Sequence, residues 1–432
     1  MTPPAAETEV SAVGPSASRA DVLGLYRRIR SNSHSICAPL QTEDYVIQSM
    51  DDVSPPKWHL AHTTWFFETF LLEPHLAGYQ RFHPRYGFLF NSYYEAAGER
   101  HRRSRRGLLS RPTVSEVHDY RAHVDRHMER LIEQINKQAG ESERERIAAL
   151  VELGLNHEEQ HQELLITDIK HILAENLLST VYVPERSAAA AAPGDVRWMS
   201  HDGGLREIGF EGEGFSYDNE GPRHRVYIEP YQLAALLVTN GEYLEFIEAG
   251  GYEQPGHWLS EGWATVQERG WQAPLYWEKA DAGWTMMTLS GRRKVRESEP
   301  VCHVSYFEAD AFARWRGKRL PSEAEWECAV SSEPIDGNFY EARRFHPAPA
   351  DGASSQFFGD VWEWTQSPYT PYPGFRPAAG AVGEYNGKFM CNQQVLRGGS
   401  CATSRRHIRP TYRNFFPADA RWQFSGLRLA SG

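Results

Sequence analysis

The segment Asn156-His157-Glu158-Glu159-Gln160-His161-Gln162-Glu163 sets two imidazoles four residues apart inside Leu150 to Ala174, a run of good helix formers. On a helix such residues share a face, with Cβ atoms about 5–6 Å apart, so His157 and His161 can grip one metal ion. The pair falls on the apolar stripe Leu150, Leu153, Leu164, Leu165 and Ile172, while Glu158, Glu159, Gln162 and Glu163 are expected on a solvated face. Imidazoles turned inward need a partner, because a buried polar group without one is costly. Two ligands do not complete a site. A third can come from Ser54-Pro55-Pro56-Lys57-Trp58-His59-Leu60-Ala61-His62, where His59 and His62 are three apart and either can serve. His157-Glu158-x-x-His161 also fits the HExxH pattern of zinc metallohydrolases, with Glu158 as general base. The similarly spaced His123 and His127 lie among Arg121, Asp125 and Arg126 and read as solvated surface.

Such chemistry needs rigid elements to hold it. Helical patterning begins near Ala20 and returns at 56–72, 113–137 and 144–176. Ser54 is the expected N-cap of the second helix, with Pro55 at its first position. Thr113-x-x-Glu116 reads as a capping box before the third. Four helices suggest an up-down bundle, whose core commonly carries metal ligands on facing helices. Between the second and third runs an irregular stretch, Phe82 to Pro112, holding Asn91-Ser92-Tyr93-Tyr94 and a basic run from Arg100 to Arg106. Connections of that length in a compact domain are commonly functional or disordered.

Composition shifts to alanine at Ser187 to Gly194, a linker pattern. Beyond it Gly, Trp and turn residues dominate, with capping boxes at Thr239/Glu242, Ser305/Glu308 and Ser322/Glu325 and short strands such as 225–229 and 394–397. The expected layout is an α+β, two-domain chain: a disordered 1–18, a helical metal-binding domain over 19–186, a linker over 187–194 and a mixed domain over 195–432. A length of 432 residues agrees with two domains, since one core rarely exceeds about 250–300 residues.

A net charge of −11 and a pI of about 5.9 argue against nucleic-acid or anionic-membrane partners, which require a basic face. No apolar run nears the roughly 18 residues of a membrane span, and the first 20 residues lack a signal pattern, so a cytoplasmic location is expected. Five scattered cysteines without a CxxC pair indicate neither a disulfide framework nor a thiolate zinc site.

The second half resembles the formylglycine-generating-enzyme/sulfatase-modifying-factor family, a C-type-lectin-like fold, in Tyr217-Asp-Asn-Glu220, Gly317-Lys-Arg-Leu-Pro-Ser-Glu-Ala-Glu-Trp326, Gly359-Asp-Val-Trp-Glu-Trp364, Arg397-Gly-Gly-Ser400 and Gly426-Leu-Arg-Leu429. That family's formylglycine generators carry two copper-binding cysteines after the Arg-Gly-Gly-Ser. Here only Cys401 follows, so formylglycine formation is not expected. The first half looks like a DinB-like four-helix bundle. Together they resemble the ergothioneine sulfoxide synthases over nearly the whole chain.

The resemblance implies the ligand set His62, from Leu60-Ala61-His62, with His157 and His161, and an iron(II) cofactor. It implies as substrates O2, N-α-trimethylhistidine and cysteine or γ-glutamylcysteine, joined by carbon–sulfur bond formation at imidazole C2 to give a sulfoxide. It places Gln160 on the acceptor imidazole, Arg103 and Arg106 on the donor carboxylate, Asn414, Phe415 and Phe416 at trimethylhistidine, and Tyr93 and Tyr94 as proton donors. Assembly with further copies of the chain is compatible with it. A zinc-dependent thiol transferase is the rival within the DinB-like group. Three neutral imidazoles suit a first-row metal and leave room for substrates and O2.

Overall fold

The computed structural model describes residues 22–138, 140–186, 197–350, 355–377, 383 and 386–432. The expected disordered 1–18 and the expected linker 187–194 lie outside them. Two compact units result: Met1–Ile172 with Glu211–Gly221 and Gly374–Lys388, and Leu173–Phe210 with Pro222–Pro373 and Phe389–Gly432.

The principal helices of the first unit are Val22–Cys37 (α1), Pro56–Phe67 (α2), Val114–Gln138 (α3) and Glu141–Ala174 (α4). All twelve residues of α2 are buried, so this helix is enclosed by its neighbours and no amphipathic signal marks it. Ser54 does not cap α2; Pro55 occupies that position without a side-chain cap. The reason is that Ser54 is engaged elsewhere: its N–H donates to Asp168 Oδ2 at 2.8 Å and its hydroxyl accepts from Arg106 at 2.8 Å. Beyond Phe67 the helix widens into a π turn, Glu68–Leu72. Buried Glu68 accepts the hydroxyls of Tyr79 and Tyr120, each at 2.6 Å.

Gly154 lets α4 approach α2 closely. A Cβ there would lie 2.7 Å from the Phe67 ring and 3.1 Å from that of Phe66, one helical turn before His157.

The expected solvated face of α4 is not solvated: Glu158, Glu159, Gln162 and Glu163 are all buried. Helices α1 and α3 supply partners for Glu158 and Gln162. Glu158 accepts Arg30 Nη1 at 2.8 Å, Ser33 Oγ at 2.6 Å and Arg121 Nη2. Gln162 donates to Ile29 O at 2.7 Å. The Thr113–Glu116 capping box forms, with Thr113 N–H donating to the carboxylate at 2.7 Å. His123 and His127 are half-buried, ring against ring at 4.3 Å.

In the second unit all three expected capping boxes form. A four-stranded sheet has the order Asn414–Phe416, Gln394–Arg397, Trp362–Pro368, Ser425–Gly426, the last pair parallel. A three-stranded sheet joins Trp198–His201, Tyr231–Ala234 and Ala430–Ser431. Buried charge ties the recurring motifs together. Glu363 accepts Trp326 Nε1 at 3.0 Å and Arg428 Nε at 2.8 Å, and Arg397 pairs with Glu323 and Glu327 at 3.0 Å each. Gly398 has φ 96°, and a Cβ there would meet Phe357 O at 2.6 Å, so glycine is required in that Arg-Gly-Gly-Ser turn.

Candidate metal centre

His62 on α2 and His157 and His161 on α4 are buried and bring three ligand atoms within 4.8 Å of one another. Spacing on α4 supplies two, and the close approach at Gly154 brings the third. His62 Nδ1 donates to Phe90 O at 2.6 Å, which leaves Nε2 as its lone pair; that atom is buried without a hydrogen-bond partner among the described residues. An orphaned buried acceptor facing two more imidazoles is the geometry a metal ion completes. Burial pushes the His62 and His161 imidazoles well below the ordinary histidine range, with the other histidines adding to it, and pushes His157 down to about 3. All three are therefore neutral, the form that ligates.

His59 does not join this set. Its Nδ1 lies 2.9 Å from His161 Nδ1, and its Nε2 lies 2.8 Å from Asp168 Oδ2. It stands behind His161 rather than within the triad. Asp168 is seven residues beyond His161 and so on the same face of α4, a signal available in the sequence and not used.

Glu158 cannot act as the base of a hydrolase. Despite burial, two arginines and Ser33 hold its carboxyl down to about 2, and those partners take both of its oxygens.

The two arginines of the basic run part company. Arg103 is exposed, donating to Asp52 O and standing 3.8 Å from the Asp52 carboxylate. Arg106 is buried. Its Cζ lies 3.3 Å over the Trp58 ring, and Trp58 stacks on His62 at 4.6 Å, so one indole separates the guanidinium from a ligand. Arg106 donates to the hydroxyls of Ser54 at 2.8 Å and Ser92 at 3.1 Å, while Nε has no partner among the described residues. No carboxylate bonds it among the described residues, and burial lowers its pKa well below the arginine norm.

Tyr93 and Tyr94 stack on each other at 4.7 Å. The turn is fixed by Asn91, whose side chain donates to Tyr94 O at 2.9 Å and accepts its N–H at 3.1 Å. Buried Tyr94 packs on Trp65 and Phe66 at 5.6 and 6.4 Å; those rings lie 5.6 Å from His62 and 4.7 Å from His157. Tyr94 is thus one aromatic ring out from two ligands. Lys388, unforeseen from the sequence, donates to Tyr93 O and lies 5.4 Å over its ring. Gln160 is half-buried beside His161.

In the second unit Phe415 lies between Tyr369 at 4.0 Å and Phe389 at 5.9 Å, and Phe416 packs on Trp422 at 5.9 Å. Asn414 accepts the Phe415 N–H at 3.0 Å. Asn414, Phe415 and Phe416 are each half-exposed.

The sulfatase-modifying factor enzyme 1-like domain model matches residues 193–353 and 354–432, and the DinB superfamily model matches 25–165. A hercynine oxygenase of Mycolicibacterium smegmatis is 36% identical over 311 residues, 64% of this chain and 70% of the relative. The chain belongs to the hercynine oxygenase family. A second hercynine oxygenase, from Mycobacterium tuberculosis, is 39% identical over 50% of this chain and 56% of its own length. Ergothioneine biosynthesis protein 1 of Schizosaccharomyces pombe is 27% identical over 58% of this chain and 33% of its own. As a member of this family the chain is an enzyme, an oxidoreductase. Among the described residues no helix is long and apolar enough to cross a membrane.

Proposed function

We propose that this enzyme joins the sulfur of cysteine to imidazole C2 of N-α-trimethylhistidine, using iron(II) and O2, and releases the sulfoxide. The observation that carries the reading is the buried triad His62, His157 and His161 with a buried arginine, bonded to no carboxylate among the described residues, one indole away. The stoichiometry closes without an external reductant. The thiol S–H and imidazole C–H are broken, C–S and S=O bonds form, and the second oxygen atom leaves as water.

The triad would hold iron(II), which supplies one-electron chemistry toward O2; no carboxylate sits among the three ligands. Arg106 binds the donor's carboxylate through charge-assisted hydrogen bonds, which the fork of a guanidinium suits. That contact supplies the anion its burial otherwise lacks. Gln160 faces the acceptor imidazole. The Tyr94 hydroxyl, with Tyr93 stacked against it, moves a proton to the reacting oxygen as a general acid. A hydrolase is disfavoured because Glu158 is committed to Arg30 and Arg121.

The test is anaerobic iron loading followed by O2 with trimethylhistidine and each thiol, with the product read by mass. A sulfoxide adduct formed fastest with free cysteine is the expected result. Full activity with zinc, or without O2, would discard the reading.

A further inference from the structure

Behind His161 runs a chain of hydrogen bonds that no ligand role accounts for. His161 Nδ1 and His59 Nδ1 are 2.9 Å apart, His59 Nε2 and Asp168 Oδ2 are 2.8 Å apart, and Asp168 Oδ2 also accepts Ser54 N–H at 2.8 Å. Ser54 Oγ in turn accepts from Arg106. His59, His161 and Asp168 are all buried, so water does not compete for these positions.

Two facing nitrogens share one proton, and its location decides what His161 can do. If His59 carries both protons, it donates to His161 Nδ1. The neutral His161 then holds its own proton on Nε2 and has no lone pair left for a metal. If instead His59 donates Nε2–H to Asp168 and leaves Nδ1 bare, it accepts Nδ1–H from His161. The Nε2 lone pair of His161 is then free to ligate. An acceptor-only carboxylate at Asp168 selects the second arrangement so long as His59 is neutral.

We propose that His59 and Asp168 form an outer-sphere pair that fixes the metal-binding tautomer and orientation of His161. The pair consists of positioning residues and touches neither metal nor substrate. It rests on the triad being a metal site, though not on which reaction the metal serves. Partners of this kind characteristically tune a ligand's basicity, and their loss weakens metal binding about 10–100-fold.

The experiment measures Co(II) affinity by chelator competition, together with the visible Co(II) spectrum and the thermal melt of the metal-free protein. The proteins compared are the parent, His59→Phe, Asp168→Ala, Asp168→Asn, His62→Ala and His157→Ala. His59→Phe and Asp168→Ala are expected to melt as folded proteins, bind Co(II) about 10–100-fold more weakly and show an altered spectrum. Asp168→Asn keeps an oxygen that can accept from both His59 and Ser54 but loses the charge, so it should recover part of the affinity, whereas a merely space-filling role would have this isosteric change recover all of it. Should His59→Phe fail to fold, the Asp168 variants carry the test alone, and an Asp168→Ala affinity within twofold of the parent would overturn the proposal. Affinities within twofold of the parent in both His59→Phe and Asp168→Ala would overturn the proposal. Complete loss of binding in His59→Phe with retention in His62→Ala would overturn it too, by making His59 a ligand. If the parent binds no Co(II), or His157→Ala binds it as tightly as the parent, the triad itself is refuted and the pair with it.

Discussion

Replacing Arg106 separates a substrate-binding arginine from a structural one, because the two roles predict opposite signs in stability. A buried arginine that holds a fold together is paired, and deleting one partner of a buried pair costs about 3–5 kcal/mol. Arg106 is buried with two serine hydroxyls and no carboxylate. Arg106→Met keeps much of the volume against Trp58 and removes a buried charge that meets two hydroxyls and an indole face but, among the described residues, no carboxylate. The metal-free variant should therefore melt at or above the parent temperature. Donor binding should suffer the reverse: one charge-assisted hydrogen bond lost is about 1.5–3 kcal/mol, or roughly 10–150-fold in affinity. Calorimetric titration of cysteine into the metal-loaded protein, with trimethylhistidine titrated in parallel, reads this. Arg103→Leu is the control, since an exposed pair with Asp52 is worth about 0–1 kcal/mol. A destabilised Arg106→Met protein with parental cysteine affinity would refute the reasoning and return Arg106 to the scaffold.

Glu158→Gln removes the partner of two buried arginines and should lower stability by about 3–5 kcal/mol, read by denaturant titration; a loss under 1 kcal/mol would contradict the buried-pair account. Because the folded Glu158 titrates at about 2 against an ordinary 4.5, its stabilisation is complete above pH 4.5 and lost as pH falls from there toward 2. The parent should therefore show an acid limb in that window that the variant lacks. Tyr94→Phe keeps the ring packing and should slow sulfoxide formation at least tenfold, as for loss of a general acid, diverting thiol toward sulfinate; unchanged rate and product ratio in both Tyr94→Phe and Tyr93→Phe would move the acid elsewhere. Gly154→Ala forces the Phe66 and Phe67 rings away from α4 and should weaken iron binding through His157, as measured by chelator competition; parental affinity would show that the helices can yield.

Local signals made much of this fold legible. The capping boxes at Thr113, Thr239, Ser305 and Ser322 each carry their own hydrogen-bond logic within four residues, and all form. The two α4 histidines follow from helical spacing alone. Several of the motifs that carried the family resemblance are visible because their charged residues are buried as matched pairs, Glu363 with Arg428 and Arg397 with Glu323.

What escaped was decided by neighbours distant in sequence. Glu158 and Gln162 look solvated on α4 until α1 and α3 cover them. Arg103 and Arg106 look alike as members of one basic run, yet Asp52 and Trp58 send them to solvent and interior. Ser54 has the composition of a cap, but Asp168 and Arg106 claim it. Nothing local indicates that Glu211–Gly221 and Gly374–Lys388 belong to the first unit, where Lys388 meets Tyr93.

The central claim is that this chain couples carbon–sulfur bond formation to O2 at the triad His62, His157 and His161. Its most direct test is a single turnover of the iron-loaded protein with cysteine and trimethylhistidine under isotopically heavy O2. The expected product is a sulfoxide adduct carrying one oxygen atom from O2, formed by the parent and absent from His62→Ala. An adduct whose oxygen comes from water, or one formed equally by His62→Ala, would contradict the claim.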